Sequence, residues 1–426
     1  MCARRVPAIA ALIVAIAVTV ASAQDWRAAG LTAFDEVWQT IQETDYDPTF
    51  GGVDWAAVGR ELRPRAAAAT SPEALRAIVR EMIGRLGRSH FALLAPTPGA
   101  PGAIGGAIVP FDVRVTQNDV LVTRVHDGAD VAVRPGDAIL QIDAQDVTRL
   151  IDGTEAGDPR RADLAWRRVM HVLSSDTPTP VRLRLRDPSG AERSETVARV
   201  PAPGTSVTVG NLPPLRASVE VAERRTRTGR RVGVIRFSVW MATLSAAIDD
   251  AVDRFRTVDG LVIDLRGNPG GLADMIRGVA GHLVDAPVVL GRAQMRELTL
   301  TFRANPRRST ADGRTVVPYG GPVAVLVDER TASASECFAG GLQAIGRVRV
   351  FGTRTAGQAL PAVTRRLANG DVLMYAVGDF VTSTGRRLEG IGVEPDEVVP
   401  TDAAMLATGH DAESAALAWI DGVSPR

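Results

Sequence analysis

The stretch VLVDERTASASECFAGGLQ, residues 325–343, sets Thr331, Ser333 and Ser335 among alanines where a buried-looking strand runs into a helix. A serine at a helix N-terminus sits among unpaired backbone N–H groups and at the positive end of the dipole. That setting favours a developing oxyanion, so Ser333 is a candidate nucleophile. The same spacing has a plainer use, because Ser333-x-x-Glu336 spells a capping box. A second segment, DLRGNPGG at 264–271, bears on the choice. Glycines after a buried strand let backbone approach a ligand, so the N–H of Gly270 or Gly271 can form half of an oxyanion hole. Ala334, next to the nucleophile, supplies the other half. Such a loop also serves as an ordinary turn, and without Gly-Lys-Ser/Thr it is no phosphate loop.

The elements that must position these groups read as three regions. From Leu31 to Leu86 the pattern is helical. Phe34, Val37, Trp38 and Ile41 share one face, and SPEALRAIVREMIGRL starts with Ser71 as cap and Pro72 in the first turn, ending at Gly87. RSHFALLAP follows as an extended exit. Beyond a Pro/Gly-rich boundary come short alternating strands, FDVRVTQNDVLVTRV and VRPGDAILQIDAQDV, as in a small β-rich module. From Arg231 strands alternate with helices, which predicts a layered α/β core with a largely parallel sheet and ligands at the strands' carboxyl ends. RGNPGG and TASASE both fall there. From about Asp402 the chain reads as a loosely attached helical tail. The expected division is 1–23 leader, 24–98 helical domain, 99–200 β-rich module, 201–401 catalytic core and 402–426 tail.

Composition narrows the function. The 426 residues are 45% hydrophobic and 23% charged with a formal net charge of zero, which gives no nucleic-acid footprint. No lysine occurs, so all 49 residues counted as Lys+Arg are arginine and no mechanism can use a lysine base. MCARR, the apolar run after it and Ala21-Ser22-Ala23 read as a secretory signal cleaved after Ala23, with an uncleaved anchor as the rival. The expected location is therefore secreted or periplasmic. Cleavage leaves Cys337 as the single cysteine and no internal disulfide. No His, Cys and carboxylate set has metal-ligand spacing, so neither metal nor cofactor is expected.

GLVIDLRGNPGG, VLVDERTASASECFAGGLQ and GRRLEGIGVEPDEVV, in that order, resemble the C-terminal processing (tail-specific) serine peptidases and the related core of tricorn protease. AFDEVWQTIQETDYDP and LGRSHFALL are similar to their helical N-terminal part. VRPGDAILQIDAQDV looks like the PDZ module they carry, though 145–200 fits that module poorly. Such a module adds an extended peptide to a sheet edge and often captures its C-terminal carboxylate, here with GAIGGAIVPF. The resemblance implies Ser333 as nucleophile. The common branch pairs it with a lysine about 25 residues downstream, where this chain has Gln358 in GTRTAGQAL. A carboxamide takes no proton, so Gln358 is left a substrate-binding role. The tricorn-like branch instead implies His90 as general base, with Ser89 and Glu389 completing the site. His126, His171, His282 and His410 lie outside the motifs. The expected activity is a serine endopeptidase acting on unfolded or C-terminally exposed polypeptides. The alternative is an inactive relative that binds a peptide or a hydrophobic ligand.

Overall fold

The computed structural model describes residues 8–95, 104–116, 118–152, 161–207 and 215–424, with side chains from Trp26 onward. The leader read over 1–23 therefore falls outside the described side chains. Among the described residues no helix is long and apolar enough to cross a membrane.

Three helices, Ala8–Thr44, Trp55–Ala67 and Pro72–Gly84, begin the chain. Phe34, Val37 and Ile41 are buried on one face as the spacing predicts, against Leu62, Leu75, Val79 and Met82. Ser71 caps the third helix by accepting from the Ala74 N–H at 3.1 Å, with Pro72 in the first turn. That helix stops at Gly84, and Gly87 turns the chain at φ 61° instead of ending the helix. The exit strand Ala92–Leu94 pairs antiparallel with Val372–Ala376, which pairs with Ala362–Arg366. Leu360, Leu367, Leu373 and Ala376 thereby fill the same core as the N-terminal helices.

The β-rich module orders its main strands Phe111–Val115, Val120–Val125, Ala138–Ile142, Val181–Arg186 and Glu192–Val197. The helix Arg161–Leu173 packs its Ala165, Val169, Met170 and Leu173 into the core of that sheet. Residues 145–200 thus supply two of these main strands and the covering helix. There Val181, Leu183 and Leu185 are buried in strict alternation with exposed arginines, the signature of a half-buried strand. The segment expected to hold a carboxylate is engaged by its own chain. Gly105 N–H donates to Ser174 Oγ at 2.9 Å, and Ala107 exchanges both backbone bonds with Ser175 at 2.8 and 2.9 Å.

The catalytic-core sheet runs Val219–Arg225, Arg231–Phe237, Gly260–Asp264, Val323–Val327, Arg349–Gly352 and Glu397–Val398. The first pairing is antiparallel and the rest are parallel. Gly260–Asp264 and Val323–Val327 are buried throughout, as central strands covered on both faces must be. Ile235, Ile263, Val325 and Val350 face the helices Ser245–Arg254, Asp274–Gly281 and Ala334–Ala344, while Val234, Val262, Leu326 and Phe351 face the opposite way. On that second face lies the helix Ala412–Gly422, with Ala412, Ala416 and Ile420 buried. The loosely attached tail is therefore corrected. Its apolar positions recur every four residues, and this stripe packs on the central strands of that face.

Candidate active site

The strand Gly260–Asp264 opens into the 265–271 loop and Val323–Val327 into the 328–333 loop, side by side at the carboxyl ends. Two of the three hydroxyls serve the loops. Thr331 donates to Leu265 O at 2.8 Å, and Ser335 accepts from Trp240 Nε1 at 2.8 Å. Ala332 N–H joins the loops by donating to Asn268 O at 3.1 Å. Ser333 is placed differently. It precedes the helix Ala334–Ala344 with φ 55° and ψ −120°, in the region that disfavours a side chain. Its Oγ lies 3.1 Å from His90 Nε2.

The histidine carries its own strain at φ 59°. Nδ1 is 2.8 Å from Ser89 Oγ, and Ser89 Oγ donates to Glu389 Oε2 at 2.8 Å. Since that hydroxyl proton goes to the carboxylate, Ser89 accepts from His90 Nδ1–H. The tautomer follows: Nε2 is the bare nitrogen, and it faces the Ser333 hydroxyl. Burial lowers the His90 pKa to about 4 and so keeps the ring neutral at physiological pH. Glu389 is buried. It also accepts from the N–H groups of Ser89 and Ala359, both at 2.9 Å.

The glycine loop closes over the nucleophile. Gly270 has φ 97°, and a Cβ there would lie 2.6 Å from Ser333 Cβ and 2.9 Å from Ala334 N. Of the two glycine N–H groups considered for an oxyanion, that of Gly270 donates to Asn268 Oδ1 at 3.0 Å. Among the described residues, neither Gly271 N–H nor Ala334 N–H donates to another protein group.

Glu336 does more than its capping-box position suggested. Its carboxylate accepts from Ser333 N–H at 3.1 Å, Gly357 N–H at 2.8 Å, Gln358 N–H at 2.8 Å and the Thr355 hydroxyl. Burial pushes it up to about 7 against the pull of these four bonds. Gln358 returns its backbone O to Ser333 N–H at 2.8 Å. So Gly357, Gln358 and Ala359 donate three successive N–H groups to two buried carboxylates, Glu336 behind the nucleophile and Glu389 behind the histidine. Nothing in the local sequence signalled the wider reach of Glu336, since its partners lie about twenty residues on with no periodic pattern.

The Ser333 hydroxyl, the neutral His90 imidazole, the Ser89 hydroxyl and the buried Glu389 carboxylate thus form one connected chain. Residues 231–399 match the model of Peptidase family S41, and residues 26–84 match the Tricorn protease C1 domain. The chain is a serine-type peptidase. These matches make the chain similar to the C-terminal processing peptidases. The carboxyl-terminal-processing protease of Synechocystis is 27% identical over 376 residues, covering 85% of this chain and 79% of that one. Among solved structures, the photosystem II D1 C-terminal processing protease aligns with a TM-score of 0.55 at 22% identity, covering 91% of this chain and 98% of that one. Mature CPAF aligns with a TM-score of 0.61 at 16% identity, covering 93% and 96%. At these identities the two structures speak for a shared fold. The peptidase's β-rich module keeps that neutral description, since nothing in these matches singles it out as a PDZ domain.

Proposed function

We propose that this peptidase is a secreted or periplasmic serine endopeptidase in which Ser333 is the nucleophile and His90 the general base, acting on unfolded or C-terminally exposed polypeptides. The observation that carries the reading is the 3.1 Å approach of His90 Nε2 to Ser333 Oγ, with Nε2 held as the acceptor. Ser333 Oγ attacks the scissile carbonyl carbon as its proton passes to Nε2. The new oxyanion takes hydrogen bonds from the N–H groups of Ala334 and Gly271. The C–N bond then breaks, His90 protonates the leaving amine, and the acyl group remains on Ser333. Water attacks the ester with His90 again as base, releasing the carboxylate product and restoring the hydroxyl. Glu389 stabilises the transient imidazolium through Ser89. The substrate class takes its support from the names of the relatives, and the location from the leader in the sequence.

The test is time-resolved mass spectrometry of an unfolded protein incubated with the mature form from Gln24. Cleavage should vanish in Ser333→Ala and fall by about 10³-fold or more in His90→Ala. Full cleavage by His90→Ala would remove histidine from the mechanism. No cleavage by the folded unmutated protein would remove the activity altogether.

A further inference from the structure

The module grips the loop that carries the nucleophile. Arg114, on the strand Phe111–Val115, donates through Nε to Glu329 Oε1 at 2.8 Å and makes further bonds to Glu329, Thr353 and Thr401. The next residue, Arg330, is held from the other side. Its guanidinium stacks 3.3 Å from the centroid of Trp166 on the module helix, and its Nε lies 3.6 Å from Asp163 of that helix. Arg330 is three residues from Ser333, so both anchors act within one short loop. Two more contacts fix the module to the core. Arg236 donates to Asp112 at 2.6 Å, and Leu406 packs between Leu121 and Ala138. Meanwhile the N–H groups that a substrate carboxylate would need at Gly105 and Ala107 are already donated to Ser174 and Ser175. A Cβ on Gly105 would meet the Ser175 backbone at 2.3 Å, so the two segments are packed closely there.

Building on the proposed endopeptidase reading, we propose that the β-rich module is a fixed brace for the 328–333 loop and not a receptor for a substrate's C-terminal carboxylate. The peptidase then takes internal stretches of polypeptide and needs no free C-terminus. Trp166, Arg114 and Arg330 are positioning residues: they set where Ser333 stands without touching the substrate.

One apolar peptide, made with a C-terminal acid, with a C-terminal amide and as a head-to-tail cycle, tests the first half. The acid and amide should be cut with kcat/KM within about threefold of each other, and the cycle should be opened. A preference of about tenfold or more for the acid would overturn the proposal. The same acid and amide, fluorescein-labelled at the N-terminus, are titrated against Ser333→Ala by anisotropy. Tighter binding of the acid by about tenfold overturns the proposal even if the protein cleaves nothing, so the two readings fail separately. For the second half, Trp166→Ala should lower kcat at least about tenfold with KM within about threefold, and slow labelling of Ser333 by a fluorophosphonate. Trp166→Phe, which keeps a ring under Arg330, should restore most of the rate. Arg114→Gln tests the other anchor should Trp166→Ala fold poorly. A wild-type kcat in either folded variant would show that the module does not brace the loop.

Discussion

At Ser333 the backbone holds φ 55°, a conformation that costs a residue with a side chain about 1–3 kcal/mol. Ser333→Gly should therefore abolish cleavage and yet raise the melting temperature, which scanning calorimetry reads directly; an unchanged or lower value would mean that the turn is unstrained. Two groups, half-buried His90 and buried Glu336, set the pH behaviour, and their signs oppose. His90 is lowered from 6.5 to about 4, so its contribution to stability is complete above 6.5 and is lost as pH falls toward 4. Glu336 is raised from 4.5 to about 7, so its contribution is complete below 4.5 and is lost as pH rises toward 7. Cys337 on the same helix stands against Glu336, and its thiol is pushed up by burial and by that carboxylate. Beyond Gln358 and Ala359 lie Glu389 and His90. Melting curves of Glu336→Gln and the unmutated protein, taken between pH 4.5 and 7, should show the unmutated protein losing relative stability as pH rises. Parallel curves would remove Glu336 as a titrating group. Activity follows a different logic, because protonated Glu336 must release one of its four donors. kcat should step down below about pH 7, then fall steeply near 4 as His90 takes a proton, and only the upper step should vanish in Glu336→Gln.

The active site lives in loops between elements, and the glycine loop is the least forgiving of them. Gly270→Ala would drive a Cβ to within 2.6 Å of Ser333 Cβ while demanding φ 97° of an alanine. It should cut kcat by about 10²-fold with the far-ultraviolet circular dichroism unchanged; a wild-type rate would place the nucleophile elsewhere. The same scale separates what the sequence could reveal from what it could not. The two loops that hold Gly270 and Ser333 were readable because each follows a buried apolar strand, and such strands announce themselves in composition. The N-terminal helices were readable from spacing, although Gly84 and not Gly87 ends the third. The burial of Glu389 left no mark in the sequence, because a charge before a glycine looks the same whether the turn faces water or three buried donors. The pairing of Ala92–Leu94 with Val372–Ala376 leaves no trace in either strand, since register across such a separation is a property of the folded chain. The role of Glu336 was hidden for the same reason.

For the molecule as a whole, the C-terminal helix decides whether the catalytic sheet has a second covered face. Ile420 fills the space over Gly260, where a Cβ would approach it at 2.5 Å, and is fully buried. Ile420→Ala should cost about 2–5 kcal/mol in urea unfolding. Removing the chain from Asp411 onward should expose Val262, Leu326 and Phe351 and give an aggregating product; a soluble, active truncation would contradict this. The C-terminal half also completes the N-terminal core, through Leu360, Leu367, Leu373 and Ala376. That shared core has a consequence in time. His90 and Ser333 are 243 residues apart, and at about 5–20 residues per second the histidine leaves the ribosome roughly 10–50 s before the serine. Even then the histidine's own core awaits residues still to be made. In a nascent chain the 3.1 Å approach of His90 to Ser333 therefore forms only after most of the residues that hold both side chains have been made.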